Sequence, residues 1–222
     1  MNSSFWILIA IAAFTVIGCN PPVALEDRQP APPPMVPITP KLKSFDLTDQ
    51  DGKPFNSKVL AGTPWVGSFF FTQCPAVCWR MNQAIAKWQV DHPESKVKFV
   101  SITCDPGRDT PEALTLYAKH FKADPKRWTF LTGDMNYIRK IGRDMFSLTV
   151  EPETHSSKVM IFDRKGDIRG WFEIVNPDDL TRFEKLIAKV EAEEAPAAES
   201  EDRDAAVDSA ETPSQEKTEA EK

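Results

Sequence analysis

The feature that most constrains the fold is an apolar strand that runs directly into two cysteines. The segment 65–71 is aromatic and β-branched with little polar interruption, which is typical of a strand buried on both faces. Apolar residues then recur at helical spacing from Met81 to Trp88. The pattern therefore predicts a strand, a turn that carries Cys74 and Cys78, and a helix.

The two cysteines are four positions apart in a C-x-x-x-C pattern. If the helix begins near Pro75, they lie about one helical turn from each other and can point their sulfurs the same way. Backbone N–H groups and the positive end of the helix dipole favour thiolate there, which suits metal binding or disulfide exchange. An inert buried pair or a stapling disulfide is the structural alternative.

Composition divides the 222 residues into one domain and its extensions. The segment 191–222 carries 12 acidic and 3 basic residues and no aromatic residue, so we expect a disordered acidic tail. The segment 20–40 is rich in proline and is expected to be an extended linker. The folded domain is predicted to span 41–190 as a monomer, and its small positive excess is no basic patch, so no nucleic-acid partner is expected.

The N-terminal segment 1–19 resembles a bacterial export signal. An uncharged apolar run from Phe5 to Gly18 ends in small residues before Cys19, which predicts a lipoprotein anchored at that cysteine. The first four residues contain no Lys or Arg, and an uncleaved anchor is the alternative, although the run is shorter than the ~20 residues of a membrane span. Either way we expect an exported, membrane-anchored protein on the periplasmic side.

The order of the predicted elements indicates an α/β, thioredoxin-like three-layer fold. A central mixed sheet carries an N-terminal β-hairpin and an inserted strand and helix, and the active edge is the carboxyl end of the strand before Cys74. The predicted elements are a hairpin over 44–55, the strand and helix around Cys74, a strand over 97–103, a helix capped by Asp109 or Thr110, a strand over 128–131, a helix capped by Asp134, antiparallel strands over 158–163 and 168–174, and a helix capped by Asn176.

A third metal ligand would have to be one of three histidines. Two thiolates and one imidazole make a soft, low-coordinate site that suits Cu(I), whereas structural zinc requires four ligands. His92 is expected in a solvated loop, and His120 near a helix C-terminus, where a dipole contact explains it. His155 is the candidate ligand, because it lies in the loop before the third core strand, which thioredoxin folds present to the cysteine turn.

Four separated motifs resemble the Sco/SenC family of membrane-tethered copper proteins, which have a thioredoxin-like fold. The motifs are Phe71–Cys78, Asp105–Leu114, Trp128–Gly133 and His155-Ser156. The resemblance covers about 45–190 and implies copper ligation by Cys74, Cys78 and His155. It also implies a partner, either the copper-bearing subunit of cytochrome c oxidase, whose binuclear copper site would be assembled, or another copper-acceptor protein. The bound ion would be Cu(I), with Cu(II) as a further possibility.

The sequence departs from this family pattern near the site. Trp79 follows the second cysteine where a proline is common, and Cys104 replaces a residue that is usually aliphatic. Cys104 is either a competing thiol or a small buried hydrophobe. Asp105 either influences the site electrostatically or caps a turn.

Two functions follow from these residues. The first is a copper metallochaperone without chemical turnover, and the second is a thiol:disulfide oxidoreductase in which Cys74 and Cys78 are a redox dithiol that reduces the cysteines of a copper acceptor. His155 favours the first, because dithiol exchange needs no histidine there. Thioredoxin enzymes also keep a cis-proline where this chain has Ser157. A peroxidase would need an arginine partner for Cys74, which the sequence does not indicate.

Overall fold

The structure is a computed structural model that describes residues 36–153 and 157–194. The strands are β1 (Asp46–Asp49), β2 (Pro54–Asn56), β3 (Trp65–Phe70), β4 (Lys98–Thr103), β5 (Trp128–Thr132), β6 (Val159–Phe162) and β7 (Ile168–Phe172). The helices are α1 (Val77–Asp91), α2 (Pro111–His120), α3 (Met135–Met145) and α4 (Pro177–Ala192), with a 3₁₀ turn at Ser57–Leu60.

One mixed sheet of seven strands organises these elements in the order β2-β1-β5-β4-β3-β6-β7. β3 pairs in parallel with β4, and β4 with β5, whereas β6 is antiparallel to both β3 and β7. β1 and β2 form the N-terminal hairpin. β3 and β4 are buried along nearly their whole length because they lie in the middle of the sheet. The predicted thioredoxin-like fold is therefore confirmed.

Helices cover both faces of this sheet and make three layers. On one face lies α3, and its C-cap residue Phe146 packs edge-on against the rings of Trp65 and Phe69. This close approach requires Gly67 on β3, because a Cβ atom there would clash with the Phe146 ring. On the other face α2 delivers Tyr117, whose ring stacks on Phe70 at 5.2 Å.

Helices α1 and α4 cover the same face as α2. Trp88 of α1 contacts Phe99 of β4 and Phe183 of α4. Phe183 in turn meets Phe172 of β7. The amino end of α1 is thereby held over the carboxyl ends of β3 and β4, where the cysteine turn lies.

The folded part extends slightly beyond both predicted domain boundaries. Ile38 forms a β-bridge with Ile168, and α4 continues to Ala192. The signal or anchor predicted for 1–19, the linker residues 20–35 and the tail residues 195–222 lie outside the described residues. Within the described ranges, no helix is both long enough and apolar enough to cross a membrane.

Candidate metal centre

Cys74 lies in the turn between β3 and α1, and Cys78 lies in the first turn of α1. The Cys74 N–H donates to the Phe71 carbonyl at 3.2 Å, which closes the turn. Helix α1 begins at Val77, close to the expected start near Pro75. The side chain of the N-cap residue Ala76 makes no capping hydrogen bond. The Cys74 sulfur takes this role instead, accepting from the Cys78 N–H at 3.4 Å.

The helix N-terminus makes Cys74 the more acidic thiol of the pair. Cys74 is 6% exposed, and burial alone would raise the pKa of its thiol. Hydrogen bonds from the Cys78 side chain and from the backbone N–H groups of Cys78, Ala76 and Val77 outweigh burial and lower this pKa below its ordinary value. The Cys74 sulfur is therefore the first to become a thiolate, as the helix dipole predicts.

Cys78 has the opposite character. Its side chain is fully buried, and burial together with its hydrogen bond to the Cys74 sulfur raises the pKa of the Cys78 thiol far above its ordinary value. Both cysteines are free thiols in the structure. The pair thus consists of one thiol whose pKa is lowered and one whose pKa is raised, so Cys74 gives up its proton before Cys78 does.

Cys104 is a third buried thiol close to this pair. It follows β4, and its N–H donates to the Phe70 carbonyl at 2.8 Å, which fixes it beside the end of β3. Burial raises the pKa of the Cys104 thiol to about 12, and the negative charges of Asp109, Asp105 and Cys74 contribute to the rise. The charge of Cys74 therefore contributes to the raised pKa of Cys104, and Cys104 remains a protonated thiol.

Asp105 joins the loop after β4 to the segment that precedes His155. Its carboxylate accepts from the Arg108 side chain at 2.5 Å. Arg108 also forms an ion pair with Glu153, two positions before His155. Asp105 does both things considered for it: its charge contributes to the raised pKa of Cys104, and its carbonyl accepts from the Arg108 and Asp109 N–H groups and closes the turn after β4.

The proposed third ligand, His155, lies outside the described residues, which resume at Ser157. The described residues on either side of the segment 154–156 both contact other elements. The Ser157 hydroxyl donates to the Glu173 carboxylate at 3.0 Å, and Glu153 pairs with Arg108. Within residues 36–153 and 157–194, no group of three or more His, Cys, Asp or Glu side chains is arranged to hold a metal ion.

The other two histidines pack against tryptophans. The His92 ring stacks on Trp88 at 4.4 Å and its Nδ1 lies 2.9 Å from the Trp88 carbonyl. The His120 ring lies 4.5 Å from the Trp79 ring, at the last residue of α2. Trp79, the family departure next to Cys78, is 38% exposed and also contacts Phe121.

Fold and site together define a thioredoxin-like domain with a thiol pair of unequal acidity at the active edge of its sheet. The sequence matches the SCO1/SenC family over residues 38–192. The chain therefore belongs to the SCO1/SenC family.

Individual relatives agree with this assignment. A Stutzerimonas stutzeri protein that is named for copper binding is 28% identical over 141 residues, which are 58% of this chain and 67% of that protein. Several other curated relatives are matched over about half of their own length.

Two solved structures show the same fold. The crystal structure of a SCO1/SenC family lipoprotein from Bacillus anthracis strain Ames is 35% identical, with a TM-score of 0.61 over 68% of this chain and 97% of the other. The structure of BsSco is 22% identical, with a TM-score of 0.63 over 72% of this chain and 99% of the other. BsSco is described as a member of the Sco family of cytochrome c oxidase assembly proteins in which a disulfide switch was identified.

Proposed function

We propose that this chain is an exported, membrane-tethered copper metallochaperone that serves assembly of the binuclear copper site of cytochrome c oxidase. Its cargo is a copper ion held by Cys74, Cys78 and His155. The observation that carries the proposal is the hydrogen bond between Cys78 N–H and the Cys74 sulfur at the start of α1, because it brings two soft donors to one edge of the sheet.

The chemistry of these donors fits Cu(I). Cys74 loses its proton more readily than an ordinary thiol because its pKa is lowered, and a copper ion would displace the proton of Cys78. Thiolates are soft ligands that select Cu(I) over hard cations such as Mg²⁺. The relative named for copper binding supports the same choice of cargo.

His155 is proposed as the third ligand on the basis of its sequence context. Support comes from its two flanks: Glu153 pairs with Arg108 of the loop after β4, and Val159 pairs with Ser68 of β3. The chain on both sides of residues 154–156 is thus anchored to elements that lead to the cysteine turn. An imidazole from this segment would complete a low-coordinate site.

Export and tethering are proposed from the N-terminal sequence. The apolar run that ends at Gly18-Cys19 and the description of the Bacillus anthracis relative as a lipoprotein support lipidation of Cys19. Intact-mass analysis of membrane-extracted protein should show loss of residues 1–18 and a lipid adduct. An unprocessed N-terminus would support an uncleaved anchor instead.

A thiol:disulfide oxidoreductase is the second candidate, and the unequal acidity of the two thiols favours it. A thiolate at Cys74 could attack an acceptor disulfide, and Cys78 would then resolve the mixed disulfide between Cys74 and the acceptor. In that sequence the acceptor gains two electrons and Cys74 and Cys78 end as a disulfide. The same two sulfurs would serve either function.

One pair of assays on the same variants separates the two candidates. Copper transfer to an acceptor domain and reduction of the acceptor disulfide are measured for wild type, His155→Ala and Cys74→Ser. A metallochaperone loses copper transfer in His155→Ala, whereas a reductase keeps its rate in that variant and loses it in Cys74→Ser. Full copper transfer by His155→Ala would contradict the proposed function.

A further inference from the structure

A buried carboxylate lies directly behind the cysteine turn. Asp109 is fully buried and accepts three hydrogen bonds from two threonines. The Thr72 N–H donates to Oδ2 at 3.1 Å and the Thr72 hydroxyl to Oδ1 at 2.5 Å. The Thr103 hydroxyl donates to Oδ2 at 2.5 Å.

These hydrogen bonds connect two loops that are distant in sequence. Thr72 lies two residues before Cys74, and Thr103 is the last residue of β4. Asp109 itself is held in the loop before α2, because its N–H donates to the Asp105 carbonyl at 2.9 Å. The carboxylate therefore links the β3–α1 turn to the β4–α2 loop.

This arrangement is more than the helix cap that the sequence predicts at Asp109 or Thr110. Thr110 is the N-cap of α2, and its hydroxyl accepts from the Ala113 N–H at 3.4 Å. None of the ion pairs among the described residues includes Asp109. A carboxylate buried without a cation is costly unless strong hydrogen bonds compensate for its lost hydration, and here the two threonines supply those hydrogen bonds.

The same hydrogen bonds restrict the movement of Cys74. Both the backbone and the side chain of Thr72 are held by Asp109, and the Cys74 N–H closes the turn onto Phe71, which precedes Thr72. The Cys74 sulfur must stay within reach of the Cys78 N–H to act as the cap of α1. A turn free at Thr72 would let the two sulfurs move apart.

We propose that Asp109 is a positioning residue for the copper site: by holding Thr72 it fixes the turn that aims the Cys74 sulfur at Cys78. This inference rests on the proposed function for its copper readout and on geometry alone for the order of the turn. It concerns residues that act through Cys74 and do not touch copper.

The test uses the full chain and its variants Asp109→Asn, Thr72→Val and Thr72→Ser. Thr72→Val removes the hydroxyl at nearly constant shape and leaves every charge in place, whereas Thr72→Ser keeps the hydroxyl. The matched control is Asp163→Asn. Asp163 is a buried carboxylate that accepts from two backbone N–H groups and from Arg169, but it follows β6 at the opposite edge of the sheet.

Two readouts are recorded for each variant. The first is retention of Cu(I) against a chromophoric chelator. The second needs no copper: amide hydrogen exchange of the peptide that spans residues 72–80 in the reduced protein, compared with core peptides of the same sample. Because core exchange reports global stability, the comparison separates local loosening of the turn from general destabilisation.

We expect Asp109→Asn and Thr72→Val to retain copper about 10- to 100-fold less tightly, as is common when a group that orients a metal ligand is lost. Exchange in 72–80 should rise about tenfold. Thr72→Ser and Asp163→Asn should match wild type in both readouts. If Asp109→Asn does not fold, the two readouts of Thr72→Val alone decide whether the proposal holds.

Folded variants with wild-type exchange over 72–80 and wild-type copper retention would overturn the proposal. Equal changes in Asp163→Asn would overturn it as well, because they would reduce Asp109 to general fold stability. If the wild-type chain binds no copper, the proposed function fails, and the exchange experiment still decides whether Asp109 holds the turn.

Discussion

The Cys74 sulfur lies 3.4 Å from the Cys78 N–H and caps the helix that carries the second cysteine. This contact supplies the cap that the Ala76 side chain lacks, and it is one of the hydrogen bonds that lower the pKa of Cys74, whereas burial is the main cause that raises the pKa of Cys78. The contact therefore joins the sulfur that would react in copper binding or disulfide exchange to the first turn of α1.

The first prediction concerns the order in which the thiols react. At pH 7.5 iodoacetamide should modify Cys74 first, because its pKa is lowered, whereas the pKa of Cys78 and of Cys104 is raised and only the thiolate reacts. Peptide mapping by mass spectrometry measures the modification rates of Cys74, Cys78 and Cys104 on the folded chain, with the urea-unfolded chain as control. Equal rates at Cys74 and Cys104 in the folded chain would contradict the asymmetry.

The second prediction concerns alkaline stability. Above pH about 9 an unfolded thiol ionises, whereas folded Cys104 keeps its proton because its pKa is raised to about 12. The unfolded state then binds fewer protons, so the free energy of unfolding falls as pH rises towards the folded pKa. Cys104→Val, which cannot titrate, should lose less stability than wild type between pH 7 and pH 10.5, by about 2 kcal/mol.

Urea unfolding at the two pH values measures this difference, and the comparison at pH 7 controls for any packing change caused by the valine. Cys74 acts in the opposite direction, because its lowered pKa adds stability as pH rises up to its unfolded value. Parallel loss of stability in wild type and Cys104→Val would show that Cys104 does not contribute to alkaline unfolding.

The third prediction concerns the C-terminal boundary of the domain. The Arg169 side chain donates to Glu193 at 2.6 and 2.8 Å, and Glu191 accepts from Ser95 and from the Lys96 N–H. A chain that ends at 190 loses these contacts, and we expect its free energy of unfolding to fall by about 1–3 kcal/mol. A chain that ends at 194 should unfold in urea like the full chain; equal midpoints for both truncations would contradict a structural role for 191–194.

The fourth prediction concerns the ion pair between Arg108 and Glu153. The pair is more than half exposed, so it should contribute modestly and be screened by salt. Arg108→Gln should weaken Cu(I) retention by a few-fold at low ionic strength and less at 0.5 M salt, since the segment towards His155 loses a charged contact. Arg143→Gln is the control, because Arg143 pairs with Asp144 on α3. An unchanged affinity at low salt would exclude a role for Arg108.

Local patterns predicted most of the fold. The apolar run 65–71 became β3, and Asp134 and Asn176 cap α3 and α4 as expected, because strand burial and helix capping depend on neighbouring residues. The sequence predicted that α1 begins near Pro75, and its N-cap is Ala76. The cap itself was not predicted, because a cysteine sulfur in that role has no strong sequence signal, whereas a proline near a helix start does.

The surroundings of the site were less predictable, because they depend on contacts between distant segments. Asp109 resembles an ordinary helix cap, and nothing local indicates that it reaches Thr72, 37 positions earlier. The same limit applies to Cys104, whose neighbours become known only when β3 and β4 pair. The pairing of Asp109 with two threonines at strand ends is a signal that a search for polar residues at adjacent strand ends could have found.

The most direct test of the account is the copper content and Cu(I) affinity of the purified, reduced chain. Wild type should retain one copper ion through gel filtration, and Cys74→Ser and Cys78→Ser should lose it. His155→Ala should bind more weakly than wild type. In wild type, the Cu(I) affinity should decrease as the pH is lowered through the imidazole range, because protons compete for the ligand nitrogen. His92→Ala is the matched control, since His92 packs on Trp88, and it should behave like wild type. Wild-type Cu(I) affinity in His155→Ala, or retention of copper by Cys74→Ser, would contradict a Cys₂His copper site.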